Sequence, residues 1–274
     1  MYILGAVVDK KEAKVALFDG AYQLLAKKGG AAAELSALCK DVMLENKLSA
    51  SDVAYAGVAI DPSAENADTL ASGLEKAIGV KCLGGALIAA RALGEAYLTD
   101  DVSSLFLLKA DETMEAGIVI DKKLYEGAHG RGGNVAHMVI DFGGFECACG
   151  NRGCFEAYAS VAGLRKFAAQ AGVPGADSIT HAELFAMDTA SAEQAKTQYV
   201  KYFAAGITNL INLFQLQEFV LDGPFSELGD GIMAPMMDII LREQFSNNMP
   251  NKCNVRFAKC KTKTALLGAA LLGR

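Results

Sequence analysis

Nothing in this chain approaches the roughly 18 consecutive apolar residues that a membrane-spanning helix needs. Yet 52% of its 274 residues are hydrophobic, enough to bury two lobes. A protein without membrane contact is therefore expected. Basic charge is also short: 26 Lys and Arg face 32 Asp and Glu, a net charge of −6, which is the wrong sign for a surface that holds nucleic acid by itself. The basic clusters present, Lys27-Lys28 and Lys259, Lys261 and Lys263, are short and read as solvated faces. The start, Met1-Tyr-Ile-Leu-Gly5, runs straight into a strand pattern with neither basic flank nor cleavage site, so no secretory signal is expected. Seven cysteines, an odd number, fit a reducing cytoplasmic compartment, and four of them, Cys39, Cys82, Cys253 and Cys260, read as buried thiols. Only three histidines occur; His129 and His181 have no partner at useful spacing and read as surface or core residues.

The third histidine is different. His137 is followed by Cys147-Ala-Cys149-Gly-Asn-Arg-Gly153-Cys154-Phe-Glu156, and three thiols within eight residues, with Gly150 and Gly153 allowing a tight turn, suit tetrahedral Zn²⁺. Four protein ligands, His137, Cys147, Cys149 and Cys154, leave no open position for a catalytic water, so the metal is read as structural. The alternative is three reduced cysteines in a loop.

Periodicity places a hairpin over Tyr2–Asp19, an amphipathic helix over Ala31–Leu48, a strand over Val53–Ile60 and a helix over Ser63–Ile78. Gly84–Gly94 reads as a small-residue helix that packs closely on its neighbours. Then follow a strand (Ser104–Ala110), a second hairpin (Ala116–Gly127), helices near Ser160–Gly172 and Gln194–Gln215, and a strand over Glu218–Asp222 that runs into an Asp-Gly-Pro turn. Met233–Leu241 is a methionine-rich helix face, read as core or subunit contact.

The metal motif, His137-x9-Cys-x-Cys-Gly-x-x-Gly-Cys-x-Glu156, resembles that of the ROK family of bacterial sugar kinases and sugar-responsive repressors. Leu4–Asp19, Leu124-Tyr-Glu-Gly127 and Ala265-Leu-Leu-Gly268 stand where that family has its first ATP-binding hairpin, the approach to the metal loop and the closing helix. The resemblance implies an α/β, two-lobed, actin-like ATPase fold (ribonuclease H-like), a duplicated domain with a structural zinc loop, and the two hairpin starts agree with such a duplication. Residues 1–110 would form the N-terminal lobe, with a helix near 264–274 packing back on it, and 111–263 a larger lobe carrying the zinc motif.

For a kinase the resemblance implies two glycine-rich phosphate loops and an Asn-Asp pair whose Asp takes the proton from a sugar hydroxyl. Here the first loop is Val7-Val-Asp-Lys-Lys11, without glycine, and the second is Asp111-Glu-Thr-Met-Glu-Ala-Gly117, with carboxylates where phosphates should lie. Each like-charge approach costs about 1 kcal/mol even in water. Ala86 and Leu87 occupy the Asn-Asp positions, so no catalytic residue is assigned. The family's sugar contacts map to Asn134, His137 and Glu156; the other reading of Glu156 is a carboxylate favoured by a helix N-terminus.

The expectation is a ROK protein that has lost ATP-dependent phosphorylation, a pseudokinase acting as a sugar-binding or regulatory module, with Zn²⁺ as cofactor and neither ATP nor Mg²⁺. Partners would be a small sugar and, because the family commonly associates, a second copy in a homodimer. Two alternatives stay open: an active hexose or amino-sugar kinase with atypical residues, and a NagC-like transcriptional regulator body that relies on a separate DNA-binding partner.

Overall fold

A computed structural model describes residues 1–61, 66–130, 132–244, 252–259 and 261–274, with the backbone alone for Lys261. Cys260 and the first residues of the helix expected from Ser63 lie outside the described residues.

Residues 1–104, 117–125 and 258–274 form one compact unit. Its sheet has the order β3-β2-β1-β4-β5, with β1 (Tyr2–Asp9), β2 (Glu12–Phe18), β3 (Leu24–Ala31), β4 (Val53–Ile60) and β5 (Cys82–Ala86). β1 runs antiparallel to β2 and parallel to β4. Alternation along β1 sends Leu4, Ala6 and Val8 to one face, where they share a core with Leu38, Cys39 and Val42 of α1 (Leu35–Glu45) and Leu74 and Ile78 of α2 (Ala67–Ile78). The other face carries Gly5 and Gly57 and takes α9 (Lys261–Leu271), which also packs on α3 (Leu87–Tyr97). The approach is backbone to backbone: a Cβ on Gly57 would collide with the carbonyl of Ala269, and one on Gly268 with that of Ala90.

Two expectations need correction. The helix assigned to Ala31–Leu48 begins at Leu35 after a 3-10 turn over Ala32–Glu34, and Ala31 ends edge strand β3 (Leu24–Ala31), paired antiparallel with β2. The helix assigned to Gly84–Gly94 is instead the end of β5 followed by α3. Its glycines serve a strand: Gly84 pairs with Val58, and a Cβ there would collide with the carbonyl of Ala67. Parallel pairing has overridden the helical reading of a small-residue run.

Residues 105–116 and 126–257 form the second compact unit. A second sheet has the order β10-β9-β6-β7-β8, from β6 (Leu105–Ala110), β7 (Met114–Ile120), β8 (Lys123–Leu124), β9 (Glu218–Asp222) and β10 (Asn254–Phe257), a short parallel strand with no sequence signal. The helices of this unit are α4 (Glu156–Ala159), α5 (Val161–Gln170), α6 (His181–Ala186), the 25-residue α7 (Ala190–Phe214) and α8 (Asp230–Glu243). Ser160, Thr180 and Thr189 cap α5, α6 and α7 by accepting backbone N–H bonds. Met236 of the methionine-rich face is buried. His181 is not without a partner: it is buried, its Nε2 lies 2.9 Å from the Tyr199 hydroxyl, and burial pushes its pKa down to about 4. Among the described residues, no helix is long and apolar enough to cross a membrane.

Candidate metal centre and ligand site

The loop between β8 and α4 has little regular structure and is organised around its own polar atoms. A single 3-10 turn, Val135–His137, presents His137, and two isolated bridges, Val139 with Cys154 and Glu146 with Arg152, close the loop on itself. The tip is a tight turn in which the N–H of Gly150 donates to the carbonyl of Cys147, and that of Cys147 to Asn151. Gly150 and Gly153 have φ of +90° and +77°, in the left-handed region where a side chain is strained. At Gly153 a Cβ would also collide with the carbonyl of Asp141.

This folding brings all four expected donors together. One ligand atom each from His137, Cys147, Cys149 and Cys154 lies within 4.8 Å of every other. His137 Nδ1 is 3.7 Å from Cys147 Sγ, and the Sγ atoms of Cys149 and Cys154 are 3.6 Å apart. Tetrahedral bonds of about 2.1 Å to nitrogen and 2.3 Å to sulfur would put neighbouring donors about 3.5–3.8 Å apart, so the cluster fits a four-coordinate borderline-soft cation. Burial pushes the Cys154 thiol up to about 12, while the Asn151 backbone N–H leads the effects that lower Cys149.

An aromatic clasp underlies the loop. Asp141 Oδ2 accepts from the hydroxyls of Tyr158 at 3.0 Å and Tyr202 at 3.3 Å, and the Tyr158 oxygen accepts the N–H of Phe145 at 2.8 Å. The rings of Phe145, Tyr158 and Tyr202 stack in turn, with centroids 4.6 and 4.4 Å apart. Sequence reasoning passed over Asp141; the Asp141-Phe-Gly-Gly144 turn was its only local signal.

Glu156, two residues after Cys154, opens α4 and is half-buried. Its Oε2 accepts the backbone N–H of Met114 at 2.8 Å, and among the described residues Oε1 has no partner. Asn134 is exposed at the start of the 3-10 turn. Leu87 is the first residue of α3. In the β1–β2 turn Lys10 adopts φ of +54° between Asp9 and Glu12, with no glycine. Around the β6–β7 turn the acids are partly matched by bases: Glu115 of β7 lies 3.5 Å from Lys109 of β6, and Glu112 in the turn lies 3.4 Å from Arg165.

Residues 54–274 match the ROK family. The chain belongs to it. Among curated relatives, the xylose repressor of Bacillus subtilis is 38% identical over 132 residues, covering 47% of this chain and 34% of the repressor. A glucokinase of Halalkalibacterium halodurans is 29% identical over 163 residues, 53% of this chain and 49% of the kinase. The chain thus spans about half or less of the length of these relatives. The ROK hexokinase of Thermus thermophilus superposes with a TM-score of 0.85 at 23% identity, covering 99% of this chain and 98% of that one. This ROK chain therefore has the α/β, actin-like sugar-kinase fold, and its relatives include both repressors and kinases.

Proposed function

We propose that this ROK protein is non-catalytic: a zinc-stapled module that binds a sugar or related polyol without phosphorylating it and acts through a partner. The observation that carries the reading is Leu87. At the position the family resemblance assigns to the proton acceptor, the first residue of α3 is an aliphatic side chain that can accept no proton. The turns supposed to cradle phosphate support the same reading. One has no glycine; the other carries acids that already face Lys109 and Arg165.

Zinc is the metal the donor set fits best, one imidazole nitrogen and three thiolates with no position left for water. It would hold the loop that presents His137 and Glu156. Polyol recognition would fall to Asn134, His137 and Glu156: the Asn134 amide both donates and accepts, and Glu156 keeps Oε1 for a hydroxyl while Met114 fixes Oε2. The repressor relative favours a regulatory role over an isolated sugar carrier. Because this chain is acidic, contact with DNA would come from other residues or another protein. We place the protein in the reducing cytoplasm, as its free thiols suggest, and as a homodimer. The glucokinase relative favours a second reading, a hexose or amino-sugar kinase whose base comes from elsewhere.

Calorimetric titration of the zinc-loaded protein with Mg·ATP, xylose, hexoses and amino sugars, beside a phosphoryl-transfer assay, separates the readings. Heat from a sugar, none from ATP and no turnover is the expected result. Turnover would overturn the non-catalytic reading, and silence from every sugar would remove the binding role.

A further inference from the structure

A cavity of about 380 Å³ opens in the first unit, beside the β2–β3 turn and the ends of α3 and α9. We propose that it binds a small amphipathic anion, a one- or two-ring aromatic body carrying a carboxylate, sulfonate or phosphate.

The volume lies within the range of about 300–1,000 Å³ typical of small-molecule sites. The floor is apolar, with Phe18, Leu266 and Leu267 all buried. Two tyrosines make the wall: Tyr22 and Tyr97 meet edge to face, with centroids 5.6 Å apart. Such a floor and wall suit a flat aromatic ring.

Charge selects the rest of the ligand. Lys27 and Lys263 line the mouth, both exposed, and neither has an ion-pair partner among the described residues. No Asp or Glu is among the described residues that line the cavity. Arg274 does not line the cavity, but its guanidinium lies 5.7 Å over the Tyr97 ring of the wall. In a chain of net charge −6, a cavity lined by lysines and no carboxylate is a local reversal of sign that favours an anion.

The wall is also held in place. Tyr22 has φ of +61°, a conformation that a bulky aromatic residue rarely adopts. The Asp19 carboxylate fixes this turn by accepting the N–H of Ala21 at 2.9 Å and of Gln23 at 2.8 Å. The Tyr22 hydroxyl lies 3.0 Å from that of Tyr55, which donates to the carbonyl of Ala270 at 2.8 Å. The ring is therefore positioned against α9 before any ligand arrives.

The test is fluorescence titration of the full, zinc-loaded chain with 8-anilinonaphthalene-1-sulfonate and with its uncharged counterpart N-phenyl-1-naphthylamine. The expected result is saturable one-to-one binding of the sulfonate, at least about ten-fold tighter than the neutral probe. Lys27→Gln with Lys263→Gln should weaken the sulfonate about ten-fold and leave the neutral probe and the melting temperature unchanged. Both side chains are exposed, and either single variant serves if the pair lowers the melting temperature. Sulfonate binding that is not saturable, that the variants do not weaken, or that the neutral probe equals would overturn the proposal.

Discussion

The metal loop and the turns that a kinase would use for phosphate are built by opposite means. Residues 137–156 converge: four donors from one short segment meet within 4.8 Å, and glycines stand where the backbone turns left-handed. The segments Asp9–Glu12 and Asp111–Gly117 diverge: Asp9, Lys10, Lys11 and Glu12 are exposed, Glu112 and Glu115 lie beside Arg165 and Lys109, and Gly117 is the one glycine in either segment. A loop can therefore gather the donors needed to hold its shape while other turns of the same chain lack the glycines of a phosphate loop. Stability and chemistry make separate demands on a chain, and each can be met without the other.

Removing a metal donor should do the most damage. Cys154→Ser leaves three donors around a buried position; we expect loss of bound zinc and about 4 kcal/mol of stability, or roughly 10 °C in melting temperature, read by elemental analysis and calorimetry. An unchanged melting temperature would mean that the Asp141 clasp alone holds the loop.

Acid should produce the next largest effect, at His181, whose charge is felt by Asp111 and Arg165. The pKa of His181 is pushed down from 6.5 to about 4, so the folded chain holds it neutral while the unfolded chain takes up a proton near pH 6.5. Stability is then complete above about pH 6.5 and drains as pH falls towards 4, by up to about 3 kcal/mol. His181→Gln should flatten that limb in denaturant titrations run across this range.

Asp141→Ala tests how far the loop depends on its clasp. It strands the hydroxyls of Tyr158 and Tyr202 and should cost about 2 kcal/mol while zinc content stays full. Loss of zinc instead would make clasp and metal one cooperative unit.

The smallest effect should come from restoring a base. Ala86→Asn with Leu87→Asp places an Asn-Asp pair where the family resemblance puts it, at the junction of β5 and α3. It should change stability by about 1 kcal/mol or less and, on the non-catalytic reading proposed above, yield no sugar-dependent ADP release. Turnover from that change would show that the turns were competent all along.

The meeting of His137, Cys147, Cys149 and Cys154 was legible from spacing, since one short segment supplies three of these four donors. The long periodic elements were legible too: the β1–β2 hairpin, β4, α5, α7 and β9 stand close to their expected bounds. Strand β3 and the short β10 were not, because an edge strand of Leu24-Leu-Ala-Lys-Lys-Gly-Gly-Ala31 has no alternation until β2 lends it a partner. The run from Gly84 to Gly94 differs for a related reason: its small residues signal close packing, and only the pairing with β4 tells that its first three residues pack as a strand.

What the amino-acid order determined by itself is the local chemistry: which donors can meet within one loop, where the backbone turns left-handed, and that an aliphatic side chain occupies position 87. What tertiary structure alone decided are the contacts made at long sequence separation. Asp141 finds Tyr158 and Tyr202, His181 finds Tyr199, and Gly57 and Gly268 let α9 lie backbone against backbone. The physical reason is that local geometry follows from covalent constraints and short-range hydrogen bonds. A partner tens of residues away is chosen only when apolar burial brings the elements together.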